Sequence, residues 1–330
     1  MTLPLAILDL APVPEGTTSS QALRRIVDLA KLGDELGYVR LWYAEHHGMP
    51  SIASSSPEVL IATSAAATSR IHIGSGGVML PNHVPLRVVE TYRTLNGLYP
   101  GRIDLGIGRA GGSDGRTLSA LRSVDGSYFP QEMAELLAFE QSSFPADHPY
   151  APIRVVPENV TLPPLFILGS SGASASAAGE LGVGYSFAAH FSATPAAPAF
   201  AAYRAAFRPS AQFAKPHAIL AVSALVAPTE DEAKFLSQSQ AVSWALFHSG
   251  EERKLLSPED AAARQLTPQQ QAVIDKQGRL WIVGDPQQVK ATIEEQAQAA
   301  GADEVMVTTT VWSHDLRLRS YRLLAEAFGL

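Results

Sequence analysis

No cysteine occurs in the 330 residues of this chain. That absence removes disulfides, thiolate nucleophiles and cysteine-ligated zinc or iron–sulfur centres together. Nor does any run approach the ~18 unbroken apolar residues of a membrane-spanning helix. Positive charge is also in short supply: 25 lysines and arginines face 32 acidic residues, a net charge of −7. Such a balance argues against nucleic acid or an anionic membrane as partner. The opening Met1-Thr2-Leu3-Pro4-Leu5 has no basic stretch of the kind that starts a signal peptide, so a cytoplasmic location is expected. What the chain does have is apolar residues, 46% against 17% charged, enough for a large core. Its length fits roughly two domains of about 150 residues or one longer α/β barrel.

Hydrophobic patterning favours the barrel. Candidate strands begin near Leu3, Tyr38, Ile71, Arg102, Leu165, Gly184, Ile219 and Glu304, with helical patterns between nearly all of them. Regular strand–helix alternation predicts parallel strands joined by right-handed crossovers, and eight of them close a (β/α)8 TIM barrel. Boundary residues agree. Ser56-Pro57-Glu58 and Asp285-Pro286 pair an N-cap with proline at the first helical position, and Thr229-Glu230-Asp231-Glu232 fits a capping box. Gly37, Gly182 and Gly301 stand where helices would end left-handed before a buried strand. Two intervals exceed one strand–helix unit, 108–164 and 227–303. They predict insertions after the fourth and seventh strands of one domain spanning 1–330, with the polar segment 249–279 as a mobile lid.

In such a barrel catalytic groups collect at the C-terminal strand ends. Glu45-His46-His47 follows the apolar run 39–44 and so lies there; neighbours alternate in direction, so only some of the three can enter one site. Adjacent histidines suit metal ligation poorly, and His72 opens its strand at the opposite end, so no metal is expected. In Ile73-Gly74-Ser75-Gly76-Gly77-Val78-Met79-Leu80-Pro81, glycines interrupt a strand. Either strands pack tightly there or a flat ring lies on the bare backbone. Gly106-Ile107-Gly108-Arg109-Ala110-Gly111 has the G-x-G-x-x-G spacing of a dinucleotide site, but Gly112-Ser113-Asp114-Gly115 prolongs a loop where that motif needs a helix. Arg109, at the strand end, reads better as an anion partner. Leu165-Phe166-Ile167-Leu168-Gly169-Ser170-Ser171-Gly172-Ala173-Ser174 runs from a strand through a Gly/Ser turn into a helix, where exposed amides and hydroxyls suit phosphate oxygens.

These motifs resemble the bacterial luciferase-like, flavin-dependent monooxygenase family. The resemblance is carried by Ala44-Glu45-His46-His47, by residues 73–81, by Pro100-Gly101-Arg102-Ile103-Asp104-Leu105-Gly106-Ile107-Gly108-Arg109, by Gly169-Ser170-Ser171 and by Val283-Gly284-Asp285-Pro286. It runs in order from residue 3 to about 309, and Leu8-Asp9-Leu10-Ala11-Pro12 with Gly111-Gly112-Ser113-Asp114 is closest to a branch of uncharacterised bacterial oxidoreductases. The resemblance implies FMN as cofactor, with Glu45 and His46 beside its ring and His46 as acid/base, its pKa raised by its acidic neighbour. It implies that Gly76 and Gly77 lie beneath the ring, across a cis or otherwise strained peptide, so that Gly77→Val would block the ring yet leave the barrel folded. Arg109, Gly169, Ser170, Ser171 and Ser174 would hold the phosphate. Luciferase has a cysteine at the position of Gly108, so light emission is not implied.

The function this implies is oxidation of a small organic substrate by dioxygen with reduced FMN, the flavin being reduced by a separate flavin reductase. Two other readings of the same motifs are F420-dependent hydride transfer and flavin binding without turnover. A homodimer is a further implication of the family resemblance.

Overall fold

The computed structural model describes residues 3–251 and 253–330. The strands are β1 (Leu5–Asp9), β2 (Arg40–Tyr43), β3 (His72–Ser75), β4 (Val78–Met79), β5 (Ile103–Gly108), β6 (Leu165–Gly169), β7 (Gly184–Ala188), β8 (Ala218–Val226), β9 (Trp281–Gly284) and β10 (Glu304–Thr308). They run in the order β10-β1-β2-β3-β5-β6-β7-β8, and β8 pairs back with β10, closing an eight-stranded parallel barrel. The fold is thus the expected TIM barrel. Two strands were not anticipated. β4 is a two-residue continuation of β3's course that pairs with β5, through Val78↔Ile107 and Met79↔Gly108. β9 pairs only with the upper half of the nine-residue β8, from Ser223↔Trp281 to Val226↔Gly284, so it stands outside the closed ring.

The helices are α1 (Ser19–Leu36), α2 (Pro57–Ala66), α3 (Pro85–Leu98), α4 (Gly115–Leu121), α5 (Phe129–Gln141), α6 (Gly172–Leu181), α7 (Ala196–Ala206), α8 (Glu230–His248), α9 (Pro258–Ala263), α10 (Pro268–Gln277), α11 (Pro286–Ala300) and α12 (His314–Phe328). Gly37, Gly182 and Gly301 do end α1, α6 and α11 at φ of 90°, 64° and 70°. Asp285 and Gln288 form a full capping box, whereas Thr229 only accepts from the Glu232 amide and Ser56 makes no side-chain cap bond. Both long intervals are insertions as expected: α4 and α5 follow β5, and α8, α9, α10, β9 and α11 separate β8 from β10. Among the described residues no helix is long and apolar enough to cross a membrane.

Alternation divides each strand between two cores. Ala6, Leu8, Trp42, Ala44, Phe166 and Met306 fill the barrel axis with Ile219 and Ala221, while the odd-numbered partners Leu5, Ile7, Leu41 and Tyr43 meet the helices. Trp42 and Phe166 pack edge to face, centroids 4.9 Å apart, and their bulk leaves room only for glycine opposite each on the neighbouring strand, Gly74 and Gly184. A Cβ on Gly74 would stand 2.8 Å from Trp42, and one on Gly184 would stand 2.2 Å from Phe166.

Candidate active site

The lower, N-terminal end of the barrel is closed by charge. Arg40 Nη1 donates to Asp104 at 2.6 Å and its Nε to Glu304 at 2.7 Å, with the guanidinium 5.2 Å from the centre of the Phe166 ring. His217 caps the other Glu304 oxygen at 3.0 Å, Trp42 donates to Asp104 at 2.9 Å, and His72 stands 3.4 Å from the same carboxylate. Burial opposes ionisation of Asp104, but Arg40, His72 and Trp42 outweigh it and hold the carboxyl below its ordinary value.

The upper end is built differently. Glu45, which follows β2, is fully buried, and both its oxygens are occupied. His83 Nε2 lies 2.9 Å from each, His47 Nε2 donates at 2.9 Å, the Met79 amide donates at 2.9 Å, and Asn82 reaches it at 3.3 Å. Burial pushes the Glu45 pKa up, yet the bonds from His83, His47 and Met79 bring it net below the ordinary carboxylate value. His83 moves the other way: burial opposes its charge, but Glu45, Glu58 and Glu132 raise its pKa.

Glu45 and His47 therefore face each other, and His46 turns away from both, as alternation requires. His46 Nδ1 lies 3.1 Å from the Gly112 carbonyl oxygen, which can only accept, so the ring carries its proton there and presents Nε2 as an acceptor. The expected elevation of its pKa is not found. Burial outweighs both the Gly112 bond and the attraction of Glu45, and lowers the His46 pKa. His46 therefore stays neutral at pH 7: burial, the largest cause, prevails although Glu45 attracts its charge.

The Gly76–Gly77 peptide is cis, one of the two forms that the family resemblance implies. The need for glycine, however, is explained by packing. A Cβ on Gly77 would lie 2.8 Å from the Gly106 carbonyl oxygen, and one on Gly76 would lie 2.7 Å from Leu8. Gly77→Val would strike the β5 backbone before it reached any ligand, which corrects the expectation that it spares the barrel. Gly108 is likewise fully buried in β5; a Cβ there would meet the Met79 sulfur at 3.0 Å.

Arg109, just beyond β5, stands level with Gly169, the last residue of β6, because Gly108 pairs with Leu168 in the ladder. Neighbouring strands lie about 4.8 Å apart, so the two residues start from the same level. The Arg109 side chain is exposed and has no acidic partner among the described residues. Ser171 is the N-cap of α6 but its hydroxyl makes no capping bond, which leaves the first-turn amides open. Ser170 is half-buried beside it. Ser174 is placed otherwise: its hydroxyl donates to the Ser171 carbonyl at 2.9 Å and sits 3.2 Å from the Tyr185 hydroxyl, bracing the turn. Gly169 is obligatory here, since a Cβ would fall 2.0 Å from Ser174 Oγ.

Beside His46 opens a cavity of about 250 Å³, walled by His190, Phe191 and one face of α8 and covered by Leu255 of the segment 249–279. That segment, expected as a lid, carries α9 and α10 and is stitched down by Leu255, whose amide donates to Val13 at 3.1 Å while its carbonyl accepts from Glu15 at 2.8 Å. His190 follows β7, and its Nδ1 lies 3.4 Å from the Ala221 carbonyl oxygen. Burial, which outweighs the Ala221 carbonyl contact, pushes its pKa down to about 4. Neither His83 nor His190 carries a role in the sequence motifs. The α8 face was overlooked, though Gln240, Ser243, Trp244 and Phe247 share the i, i+3, i+4, i+7 spacing of one helical stripe.

A family model described as luciferase-like monooxygenase matches residues 3–304. The chain is 40% identical to a luciferase-like monooxygenase of Escherichia coli over 98% of its own length and 97% of that protein's. Its structure is similar to that of apo-MsnO8, with a TM-score of 0.90, 37% identity and 99% coverage of both chains. At the level of fold alone, it is similar to the FMN complex of the oxygenating constituent of 3,6-diketocamphane monooxygenase from Pseudomonas putida (TM-score 0.71, 17% identity, covering 99% and 97% of the two chains). An F420-dependent secondary alcohol dehydrogenase bound to an F420–acetone adduct shares that fold too (TM-score 0.67, 16% identity, 99% of both chains).

Proposed function

The chain belongs to the luciferase-like monooxygenase family, and from that premise we propose that it is an FMN-dependent monooxygenase acting on a small organic substrate. The observation that carries this reading is the meeting, at one end of the barrel, of three things the other end lacks. They are an arginine without an acidic partner level with an uncapped helix start, a bare glycine backbone, and a neutral histidine beside a cavity. The donors suit a phosphate group: Arg109 supplies a fork, the α6 amides and the Ser170 and Ser171 hydroxyls supply further donors, and Gly169 lets the turn approach closely. Ser174 keeps that turn in shape.

Reduced FMN, when bound, supplies the electrons with which dioxygen is activated. The residues of this chain orient and move protons. Gly76 and Gly77 give the flavin ring a surface without side chains. His46, neutral and open at Nε2, accepts a proton from the reacting groups. Glu45 touches no open space and acts as a positioning residue, fixing the 45–47 and 79–83 segments through His47, Met79 and His83. A separate flavin reductase and a homodimer complete the proposal, with the segment 249–279 as the cover of the site in a single-domain, cytoplasmic protein.

The test is stopped-flow reoxidation of chemically reduced FMN by dioxygen with and without the protein, alongside assays for hydride transfer from reduced F420. Reoxidation kinetics altered by the protein support the proposal. Turnover of F420 with no effect on FMN would move the chain to hydride transfer, and binding of FMN with unaltered kinetics would leave it a flavin carrier.

A further inference from the structure

The cavity beside His46 has a lining with no Asp, Glu, Lys or Arg among the described residues. Its two histidines both have lowered pKa values, so the lining carries no formal charge near pH 7. Its wall is the α8 stripe, where Trp244 and Phe247 supply ring faces and Gln240 and Ser243 supply polar points. Gln240 spends one donor on Ser223 at 2.9 Å. With Nδ1 of His46 and of His190 each turned to a backbone carbonyl, at 3.1 and 3.4 Å, each ring keeps Nε2 as an acceptor without a protein partner.

Resting on the monooxygenase reading, we propose that this cavity is the substrate compartment and that it selects an uncharged, mainly apolar or aromatic molecule carrying a hydroxyl that donates to His46 or His190. The volume of about 250 Å³ lies just below the ~300–1,000 Å³ of sites for drug-sized ligands, which fits a one- or two-ring or medium-chain molecule. A carboxylate or ammonium group would enter with no counter-charge and lose its hydration, which a buried site does not repay. Among the residues assigned to the flavin and to catalysis, the cavity shares only His46, so substrate and phosphate lie in separate compartments.

Calorimetric titration of the flavin-free protein with three naphthalenes of one shape tests this. 2-Naphthol is expected to bind at least about tenfold more tightly than 2-naphthoate, because the anion is left unpaired. It should also bind more tightly than 2-methoxynaphthalene, which has no proton to donate. Ser243→Lys places a cation in the wall and should invert the naphthol–naphthoate preference. Should that variant fail to fold by circular dichroism, Phe247→Lys at the exposed rim makes the same test. Naphthoate binding as tightly as naphthol, or a folded lysine variant with the original order, overturns the proposal. Naphthol binding should survive saturating FMN; its loss would give the cavity to the flavin and overturn the separate compartment. Failure of the flavin reading has a different signature: no FMN binding at all, with the naphthalene order intact.

Discussion

Arg40 and Arg109 sit at opposite ends of the same barrel, and their surroundings differ in kind. Arg40 lies under two carboxylates and against an aromatic ring, 13% exposed, with its fork filled. Arg109 is the first residue beyond β5, exposed, level with a helix start whose amides lack a cap. A filled fork in a dry site holds strands together; an open one facing orphan donors is equipped for an anion that is not part of the chain. The histidines repeat the contrast. His217 and His72 are tied to carboxylates at the lower end, whereas His46 and His190 bind only carbonyl oxygens and keep a nitrogen free. The lower end is thus a plug and the upper end a workplace.

The largest effect should come from breaking the plug. Arg40→Met leaves Asp104 and Glu304 buried without their shared cation, and should cost about 3–5 kcal/mol in urea unfolding. FMN affinity of the remaining folded protein should stay within about twofold of the native value, as charge screening over that distance implies. A variant that is as stable as the native chain would remove the structural role assigned to this end.

Next in size is Glu45→Gln, which keeps the shape and removes the charge that His83 and His47 share. Loss of hydrogen bonds to a charged group should destabilise by about 1.5–3 kcal/mol. The pH dependence follows from the two shifts. Glu45 has a folded pKa below 4.5, so its contribution is present above that value and is lost as pH falls through the folded value. His83 has a folded pKa above 6.5, so its contribution is full below pH 6.5 and is lost as pH rises through the folded value. Unfolding measured across that window should show a plateau in the native protein that Glu45→Gln lowers, and NMR titration should show His83 falling toward 6.5.

Gly77→Val should cost about 1–3 kcal/mol in thermal unfolding, as overpacking against the β5 backbone does. A neutral result would mean that β4 can part from β5 without penalty.

The barrel was legible because its code is local. Six of the eight expected strand starts fall within one residue of those found, and the left-handed glycines sit where helix ends required them. β4 escaped because it is only two residues long, and β9 because it pairs on one side only, inside an interval expected as an insertion. At the site, the strand-end positions of Glu45, His46 and Arg109 could be read, but their partners could not. Nothing in the sequence says that Glu45 is claimed by His83, a residue 38 positions away, or that His46 is buried deeply enough for desolvation to outweigh the attraction of Glu45. The role of Gly76 and Gly77 was ambiguous for the same reason: only the approach of Leu8 to the first and of the Gly106 carbonyl to the second shows that packing demands glycine at both.

The smallest change in stability should accompany the largest change in chemistry. His46→Ala should leave unfolding and FMN affinity nearly unaltered while lowering product formation by about 10²–10⁴-fold. Because the His46 pKa is lowered, native activity should decline only as pH falls below 6.5 toward the folded value, where Nε2 becomes protonated. Product and hydrogen peroxide measured together across pH check this; an acid limb that survives in His46→Ala would assign the proton transfer elsewhere.

Whether the upper end holds a phosphate is measured directly by the affinity of Arg109→Ala for FMN and for riboflavin, at low and at moderate salt. FMN should weaken by at least about tenfold, as expected for loss of a charge-assisted fork, and the native contact should weaken with salt. Riboflavin, which has no phosphate, should bind the variant within about twofold of the native protein, since the lost charge-assisted fork addresses only the phosphate. Equal weakening of both ligands, or none of either, would contradict the placement of the phosphate between Arg109 and the start of α6.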